Sequence, residues 1–345
     1  MADVVLNLRD ERPIWTIPAW AVGEIAGAIP SSWILHIASG PADGSGDGGG
    51  SPPPEVLDAL QGAKIYFGFG VPPSVLEVGR GTLRWVHSAA AGVGSSLQEA
   101  MRASEVRFTN SAGIHGPPIA ETVLAMLLHF VRGLDFAVAA QARGTWDTEP
   151  FLSAETPVRE IAGMTVGILG YGGIGREIAC RVGALGAHVL GLCRAERGGD
   201  VDEIGVELLH GKAGLDRLVA ESEALVVAAP LTAETRGVLS AERIRAIPKG
   251  ALLINVSRGA LVDEEALVAA LRDGHLRGAG LDVFATEPLP VDHPLWNLPN
   301  VLLTPHTAAV SRGFWRRETD LILENLRRFL AGESLINEVD RVRGY

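Results

Sequence analysis

Arg258, Glu287 and His306 have the side-chain types that acid–base chemistry at a carbonyl requires, and each follows an apolar run that reads as a strand. Arg258 follows Ile254-Asn-Val-Ser257, Glu287 comes shortly after Leu281-Asp-Val-Phe284, and His306 follows Leu303-Thr-Pro305. In an open parallel sheet the carboxyl ends of the strands border the ligand crevice, so residues far apart in sequence can meet there. A guanidinium offers a fork of donors to a carboxylate or a polarised carbonyl. An imidazole can give or take a proton near neutral pH, and a carboxylate beside it orients the ring and favours the imidazolium. Each residue also has a structural alternative: His306 as a strand cap, Glu287 as a surface acid before Pro288, Arg258 as a partner of Asp263. The remaining histidines read as structural, with His115 nearest to a loop that could face a cleft.

A second constellation lies upstream. Val166 to Leu169 reads as a buried strand, Gly170, Gly172 and Gly175 follow in G-x-G-x-x-G spacing with Gly173 and Ile174 between them, and Ile174 to Leu185 can continue as a helix. This arrangement cradles a dinucleotide. The first glycine makes the tight turn, the second admits a pyrophosphate to the backbone, and the third lets helix and strand pack closely. The helix N-terminus presents N–H groups and a positive dipole end to the phosphates.

The elements that must position these residues form two βα series. Val4–Leu8, Ile34–Ala38, Lys64–Phe69, Leu83–His87 and Val106–Thr109 read as strands of a small parallel-sheet domain. From Thr165 a second series runs through His188–Cys193, Ala224–Ala229, Ala251–Val256, Gly280–Phe284 and Val301–Thr304, which predicts a doubly wound sheet. Ile119 to Ala142 is apolar on nearly all sides and reads as one helix buried all round at a domain or subunit junction. An amphipathic helix from Gly313 to Leu330 is expected to pack back on the first domain. The expected division is 1–118 as the first part of a substrate domain, 119–142 as an interdomain helix, 143–309 as the dinucleotide domain, and 310–345 as the return. Gly40 to Pro54 holds only Gly, Pro, Ala, Asp and Ser and reads as a mobile insertion.

Composition narrows the function classes. A chain of 345 residues, 47% hydrophobic and 21% charged, fits a soluble two-domain protein. A formal charge of −11 disfavours nucleic acid as a partner. Arg316-Arg317 and Arg327-Arg328, with acids between them, read as a solvated helix face. Cys180 and Cys193 make neither a disulfide framework nor metal-ligand spacing, so no metal is expected. The N-terminus lacks the pattern of a signal peptide, and Ile119 to Val131 is too short to span a bilayer. A cytoplasmic setting, with no membrane partner, is the expectation.

Gly170-Tyr-Gly-Gly-Ile-Gly175, Pro230-Leu-Thr-Ala-Glu-Thr235, Ile254-Asn-Val-Ser-Arg-Gly-Ala-Leu-Val-Asp-Glu264, Gly280-Leu-Asp-Val-Phe-Ala-Thr-Glu-Pro288 and Thr304-Pro-His306 occur in that order. Together they resemble the D-isomer-specific 2-hydroxyacid dehydrogenases, of the glyoxylate/hydroxypyruvate reductase-like kind. Ala91-Gly-Val93 and Thr109-Asn-Ser-Ala-Gly113 resemble that family's substrate-side loops, and the likeness runs from about Leu83 to Tyr345. The resemblance implies a Rossmann dinucleotide-binding domain inserted in a smaller flavodoxin-like substrate domain, and a homodimer. It implies that His306 is the general acid/base, that Glu287 supports it, and that Arg258 binds the substrate carboxylate and carbonyl. Asp282 would hold the nicotinamide carboxamide, and the N–H groups of Ala91, Gly92 and Val93 would bind the substrate carboxylate. Pro230, Thr235, Val256 and Ser257 would line the cofactor with the glycine loop.

This chain departs from the family pattern at two places. Gly94 stands where the family usually continues Ala-Gly-Val-Asp, so that loop is expected to be more mobile. Cys193 stands where the second strand of the nucleotide domain normally ends in an acid for the ribose hydroxyls, with Arg194 next and Arg197 three residues on. A missing acid beside positive charge favours NADP over NAD. The expected activity is hydride transfer between NAD(P)H and a 2-keto acid/D-2-hydroxy acid pair, with closure of the two domains to exclude water. The alternative is a nucleotide-sensing binding protein like the C-terminal-binding-protein corepressors, which share this scaffold. Glu287, where formate dehydrogenases carry glutamine, disfavours that branch. Gly68-Phe-Gly-Val-Pro-Pro73 offers no arginine for a phosphate, and no regulatory domain is expected after Tyr345, which disfavours a phosphoglycerate dehydrogenase.

Overall fold

The computed structural model describes residues 3–41, 50, 52–194 and 201–342. Two compact units emerge, 1–115 with 310–345, and 116–309.

In the first unit the chain runs β1 (Asp3–Asn7), α1 (Ala19–Ala28), β2 (Ile34–Ile37), α2 (Pro54–Leu60), β3 (Ala63–Gly68), α3 (Pro73–Val78), β4 (Trp85–Ser88), α4 (Glu99–Arg102) and β5 (Arg107–Asn110). All neighbours are parallel and the order is β2-β1-β3-β4-β5, the flavodoxin-like winding. The strands inside the sheet bury both faces, which is why they read as continuous apolar runs, while the edge strand β2 leaves Ile34 and Ile37 exposed. Val4 and Leu6 of β1 pack on one side with Ile25 of α1; Val5 faces the other with Val56 of α2.

The second unit begins with α5 (Gly116–Val131), α6 (Leu134–Arg143) and α7 (Glu149–Leu152). A doubly wound series follows: β6 (Thr165–Leu169), α8 (Gly173–Ala184), β7 (His188–Cys193), β8 (Glu207–His210), α9 (Gly211–Glu221), β9 (Ala224–Val227), α10 (Ala241–Ala246), β10 (Leu252–Asn255), α11 (Glu264–Arg272), β11 (Gly278–Leu281) and β12 (Val301–Leu303). Its 7-stranded parallel sheet has the order β12-β11-β10-β9-β6-β7-β8, so the winding reverses between β6 and β9. The alternation along β6 sorts its side chains. Val166 and Ile168 join α5 and α8 in one core, and Leu169 joins α9 in the other.

The chain then returns to the first unit as α12 (Phe314–Ala331). Phe314, Ile322 and Leu326 lie in the core shared with α1. Beyond α12, Asn337 and Val339 exchange backbone hydrogen bonds with Asn110 and Phe108, covering the open edge of β5.

Several sequence expectations change. The second sheet has a strand more than the series anticipated, because Glu207–His210 is short and lies beyond Arg197 and its neighbours, outside the described residues. Ile119 to Ala142 is not one helix. It breaks at Gly133, whose φ of 67° is left-handed, and the two halves bend by 70°. α5 packs on α8 inside the second unit, so it is not a separate connector. The expected all-round burial does not hold: Glu121 and Ala125 of α5 are exposed, and so are Leu134 and Val138 beyond the break. Arg317 departs from the solvated face: it is half-buried and its Nε donates to the carbonyl of Ile114 at 2.9 Å. Of the Gly40–Pro54 segment, Pro54 already starts α2, and 42–49 and 51 lie outside the described residues. Among the described residues no single helix is long and apolar enough to cross a membrane.

Candidate active site

β11 ends at Leu281 and β12 at Leu303, and the residues just beyond them build the catalytic candidate. Asp282 is 2% exposed and organises the turn after β12. Its Oδ1 accepts from Thr304 Oγ1 at 2.6 Å and from the N–H of Thr307 at 2.8 Å, and both its oxygens accept from the Ala308 N–H. The Asp282 carbonyl accepts from the His306 N–H at 2.9 Å. These bonds hold His306 at φ 55°, a left-handed conformation that costs a non-glycine residue about 1–3 kcal/mol. The strain presents the imidazole outward, 46% exposed at the side chain.

Glu287 comes back along the preceding turn. Its Oε1 accepts from the Phe284 N–H at 3.0 Å, which aims Oε2 at His306 Nδ1, 2.7 Å away. A carboxylate only accepts, so Nδ1 carries the proton and Nε2 is the ring nitrogen that can exchange one with a ligand. Arg258 is exposed on the turn after β10, where its Nη1 donates to the Ser257 carbonyl at 2.7 Å. Asn255 shapes that turn, accepting from Ser257 N and Oγ and donating to the Arg258 carbonyl. Asp263 is not the partner of Arg258; it caps α11 by accepting from the Ala266 N–H at 3.0 Å. Gly259 joins the two turns. A Cβ there would lie 1.9 Å from the Phe284 carbonyl carbon, so the backbones touch.

The glycine loop fits a dinucleotide on its own geometry. Gly170 has φ 102°, and a Cβ on it would meet Ala229 N at 2.4 Å. Gly175 passes under the Gly170 carbonyl, 2.5 Å from where its Cβ would be, whereas a Cβ on Gly172 meets nothing. The N-terminus of α8, with Gly173 and Ile174 in its first turn, faces outward at the point where the sheet order reverses. Around it, Pro230 and Thr235 form a closed turn: Thr235 Oγ1 donates to the Pro230 carbonyl at 2.7 Å. Val256 follows β10 and its N–H donates to Val227. Cys193 is buried in the core beside Val166, so Arg194 is the first exposed side chain after β7; its Nη2 lies 3.8 Å from Glu234. Arg197 lies outside the described residues.

Ala91, Gly92 and Val93 follow β4 in the first unit. The loop is tied despite Gly94, because Asn110 Nδ2 donates to the Ala91 carbonyl at 2.7 Å and Ser111 N–H donates to the Ala90 carbonyl. His115 is not an open ligand group; its ring stacks on Phe314 at 5.2 Å between centroids.

Sequence reasoning passed over Tyr171, Asp202 and Arg176. Tyr171, inside the glycine motif, is buried and donates from its hydroxyl to Asp202 at 2.5 Å, while Arg176 pairs with Asp202 and Glu203. Burial and the neighbouring carboxylate push the Tyr171 phenol well above its ordinary range. The signal was an aromatic residue in a glycine-rich turn, which needs a wall to pack on. Among the described residues no group of His, Cys, Asp and Glu side chains is arranged to hold a metal ion.

A family model described as "D-isomer specific 2-hydroxyacid dehydrogenase, NAD binding domain" matches residues 124–308. The chain belongs to the D-isomer specific 2-hydroxyacid dehydrogenase family. Within it, the chain is 32% identical over 286 residues to a glycerate dehydrogenase of Methylorubrum extorquens, covering 81% of this chain and 87% of that protein. It is 30% identical over 289 residues to a D-3-phosphoglycerate dehydrogenase of Methanocaldococcus jannaschii, covering 83% of this chain but only 53% of that longer protein. Among solved structures, a D-isomer specific 2-hydroxyacid dehydrogenase from Xanthobacter autotrophicus Py2, in complex with NADPH and MES, aligns with TM-score 0.79 and 34% identity over 100% of this chain and 99% of that one.

Proposed function

We propose that this hydroxyacid dehydrogenase interconverts a small 2-keto acid and its D-2-hydroxy acid using NADP(H), with His306 as the general acid/base. The observation that carries this reading is the 2.7 Å bond from His306 Nδ1 to Glu287, which leaves Nε2 to serve the substrate. When bound, the nicotinamide supplies or receives the hydride. In the reducing direction, His306 as imidazolium gives its Nε2 proton to the carbonyl oxygen. Glu287 stabilises that cation and keeps the ring from turning. Arg258 offers its fork to the carboxylate and carbonyl of the substrate and opposes the negative charge that develops on oxygen. The N–H groups of Ala91, Gly92 and Val93 are assigned to the substrate carboxylate. The loop of Gly170, Gly172, Gly173, Ile174 and Gly175 would hold the pyrophosphate, and Pro230, Thr235, Val256 and Ser257 the rest of the dinucleotide. Among the described residues, Asp282 Oδ2 accepts from the Ala308 N–H alone and retains capacity for a carboxamide.

The glycerate dehydrogenase relative supports hydroxypyruvate, and a glyoxylate reductase of Korarchaeum cryptofilum, 36% identical over 241 residues, supports glyoxylate, as the substrate class. NADP is favoured because Cys193 turns into the core, Arg194 is 58% exposed at the strand end, and the NADPH-bound relative shares the fold. A panel of glyoxylate, hydroxypyruvate, pyruvate and phenylpyruvate, assayed with NADPH and NADH, tests both points. Arg194→Ala should lower kcat/KM with NADPH and leave NADH little changed. A wild-type preference for NADH would overturn the cofactor assignment. Tight nicotinamide binding without turnover of any 2-keto acid would instead support the corepressor-like reading.

A further inference from the structure

We propose that Glu264 is a positioning residue for this reaction: it holds the 284–287 turn so that Glu287 meets His306 at a fixed distance from Arg258. Glu264 is the first residue of α11, and its carboxylate turns away from its own helix. Oε2 accepts from the Ala285 N–H at 3.0 Å, and Oε1 lies 3.2 Å from His293 Nε2. His293 Nδ1 accepts from the Leu295 N–H at 3.3 Å, so the ring proton sits on Nε2 and is donated to Glu264. The Glu264 and His293 side chains are only 19% and 20% exposed, which limits competition from water.

Two successive amides of one turn therefore end on two carboxylates. Phe284 donates to Glu287, the carboxylate that binds His306, and Ala285 donates to Glu264. The same turn is pressed from the other side by Gly259, the residue after Arg258, where a Cβ would lie 2.4 Å from Ala285 N. Backbone cannot yield as a side chain can. The β10–β11 pairing and the bond from the Asp282 N–H to the Asn255 carbonyl bring the two strand ends together, and beyond them the 284–287 turn is held against the Arg258 turn by the Gly259 contact and by the hydrogen bond that Glu264 makes. Asp263, capping α11, fixes where Glu264 starts. A carboxylate in the first turn of a helix is favourable wherever it points. What the helix does not require is that it reach an amide of another turn while a histidine holds it from behind.

The inference rests on the proposed role of His306, and its test separates the two. Glu264→Ala should lower kcat for 2-keto acid reduction about 10- to 100-fold, the penalty of a misplaced reacting group. KM for the keto acid should change less than about threefold, since Arg258 remains. Glu264→Gln, whose amide oxygen can still accept from Ala285 but whose NH2 then faces the His293 Nε2–H, should recover part of the loss. The second readout needs no turnover: nitrogen-15 histidine spectra report which ring nitrogen of His306 carries the proton. The wild type should show the Nδ1–H form of the neutral ring, and Glu264→Ala should shift toward the mixture of a free imidazole. Should Glu264→Ala not fold, Glu264→Asp shortens the reach by one methylene and should move both readouts the same way. Wild-type kcat and an unchanged His306 tautomer in the folded variant would overturn the proposal, as would a loss of activity that only follows the folded fraction. If the wild type reduces no 2-keto acid, the reading of function fails while the tautomer comparison still decides the role of Glu264.

Discussion

His306 is held by more of its surroundings than its ring chemistry alone would need. Its N–H is bonded to Asp282 and Thr304, the two residues after it are bonded to the Asp282 carboxylate, and its Nδ1 is bonded to Glu287. Such over-determination is how a left-handed histidine persists. Losing the ring should therefore remove a general acid while leaving a braced turn. His306→Ala is expected to lower kcat by about two to four orders of magnitude. Near-wild-type turnover in the variant would take His306 out of the mechanism. Arg258→Lys is expected to lose about ten- to a hundredfold in kcat/KM, because a point charge cannot reproduce two parallel donors to one carboxylate. Recovery of most activity by lysine would rule out bidentate binding.

The α5–α6 pair shows how one glycine redirects an apolar helix. Gly133 leaves the helical region at φ 67°, and a Cβ on it would come within 2.9 Å of Phe151 and 3.0 Å of Val158. Past the bend, Asp135 pairs with Arg277 at 2.7 Å, and the guanidinium lies over Phe130 and Phe136. The new direction of α6 is thus anchored by a largely buried ion pair. Gly133→Ala meets both penalties, left-handed backbone and crowding against a ring. It should destabilise the protein by about 1–3 kcal/mol, read as a Tm several degrees lower, with the keto-acid KM unchanged. An unchanged Tm would mean that the bend is set elsewhere.

For the molecule as a whole, pH dependence of stability should reside partly in the first unit. His115 stacks on Phe314 and meets Trp15 edge-on. Burial pushes its pKa below the ordinary 6.5, the Glu318 carboxylate opposes this, and Arg317 reinforces it. A histidine whose folded pKa is lowered binds its proton more readily in the unfolded chain, so stability falls as pH drops below about 6.5. His115→Phe, which keeps the aromatic stack, should flatten the fall of Tm between pH 7 and 5; an unaltered slope would place that titration elsewhere. The second property of the whole is assembly. The large apolar side chains of α5 pack within its own chain, but Trp146 is 96% exposed and Leu152 79% exposed, alongside Leu134 and Val138. Exposed apolar side chains also occur singly elsewhere, such as Val291, but these four fall within one stretch of the second unit, and a homodimer through 134–152 is expected. Light scattering at micromolar concentration should give twice the chain mass, and a monomer would end the idea.

The parts of this protein legible from sequence are those with local physical causes. A strand buried on both faces must be a continuous apolar run, and a dinucleotide turn must have glycine where the backbone is left-handed or pressed by a neighbour. Apart from Glu207–His210, which the sequence reading lacked, the strands from Val4 to Leu303 could therefore be read within about three residues of where they fall, and so could the roles expected of Gly170 and Gly175. The two βα series were legible for the same reason, while the flavodoxin-like and Rossmann windings came from the family resemblance, and the observed strand orders agree with it. Arg258, Glu287 and His306 could be named because each follows a strand, where the chain must emerge at one edge of the sheet. What sequence could not supply was anything set by contacts distant in the chain. The break at Gly133 depends on Phe151 and Val158, the burial of Cys193 on the pleat of β7, and the place of Tyr171 on Asp202. The hold of Glu264 on the catalytic turn depends on Gly259 pressing from across it. Those contacts form only when the sheet has brought its strand ends together, because no local pattern encodes which amide a given carboxylate will meet.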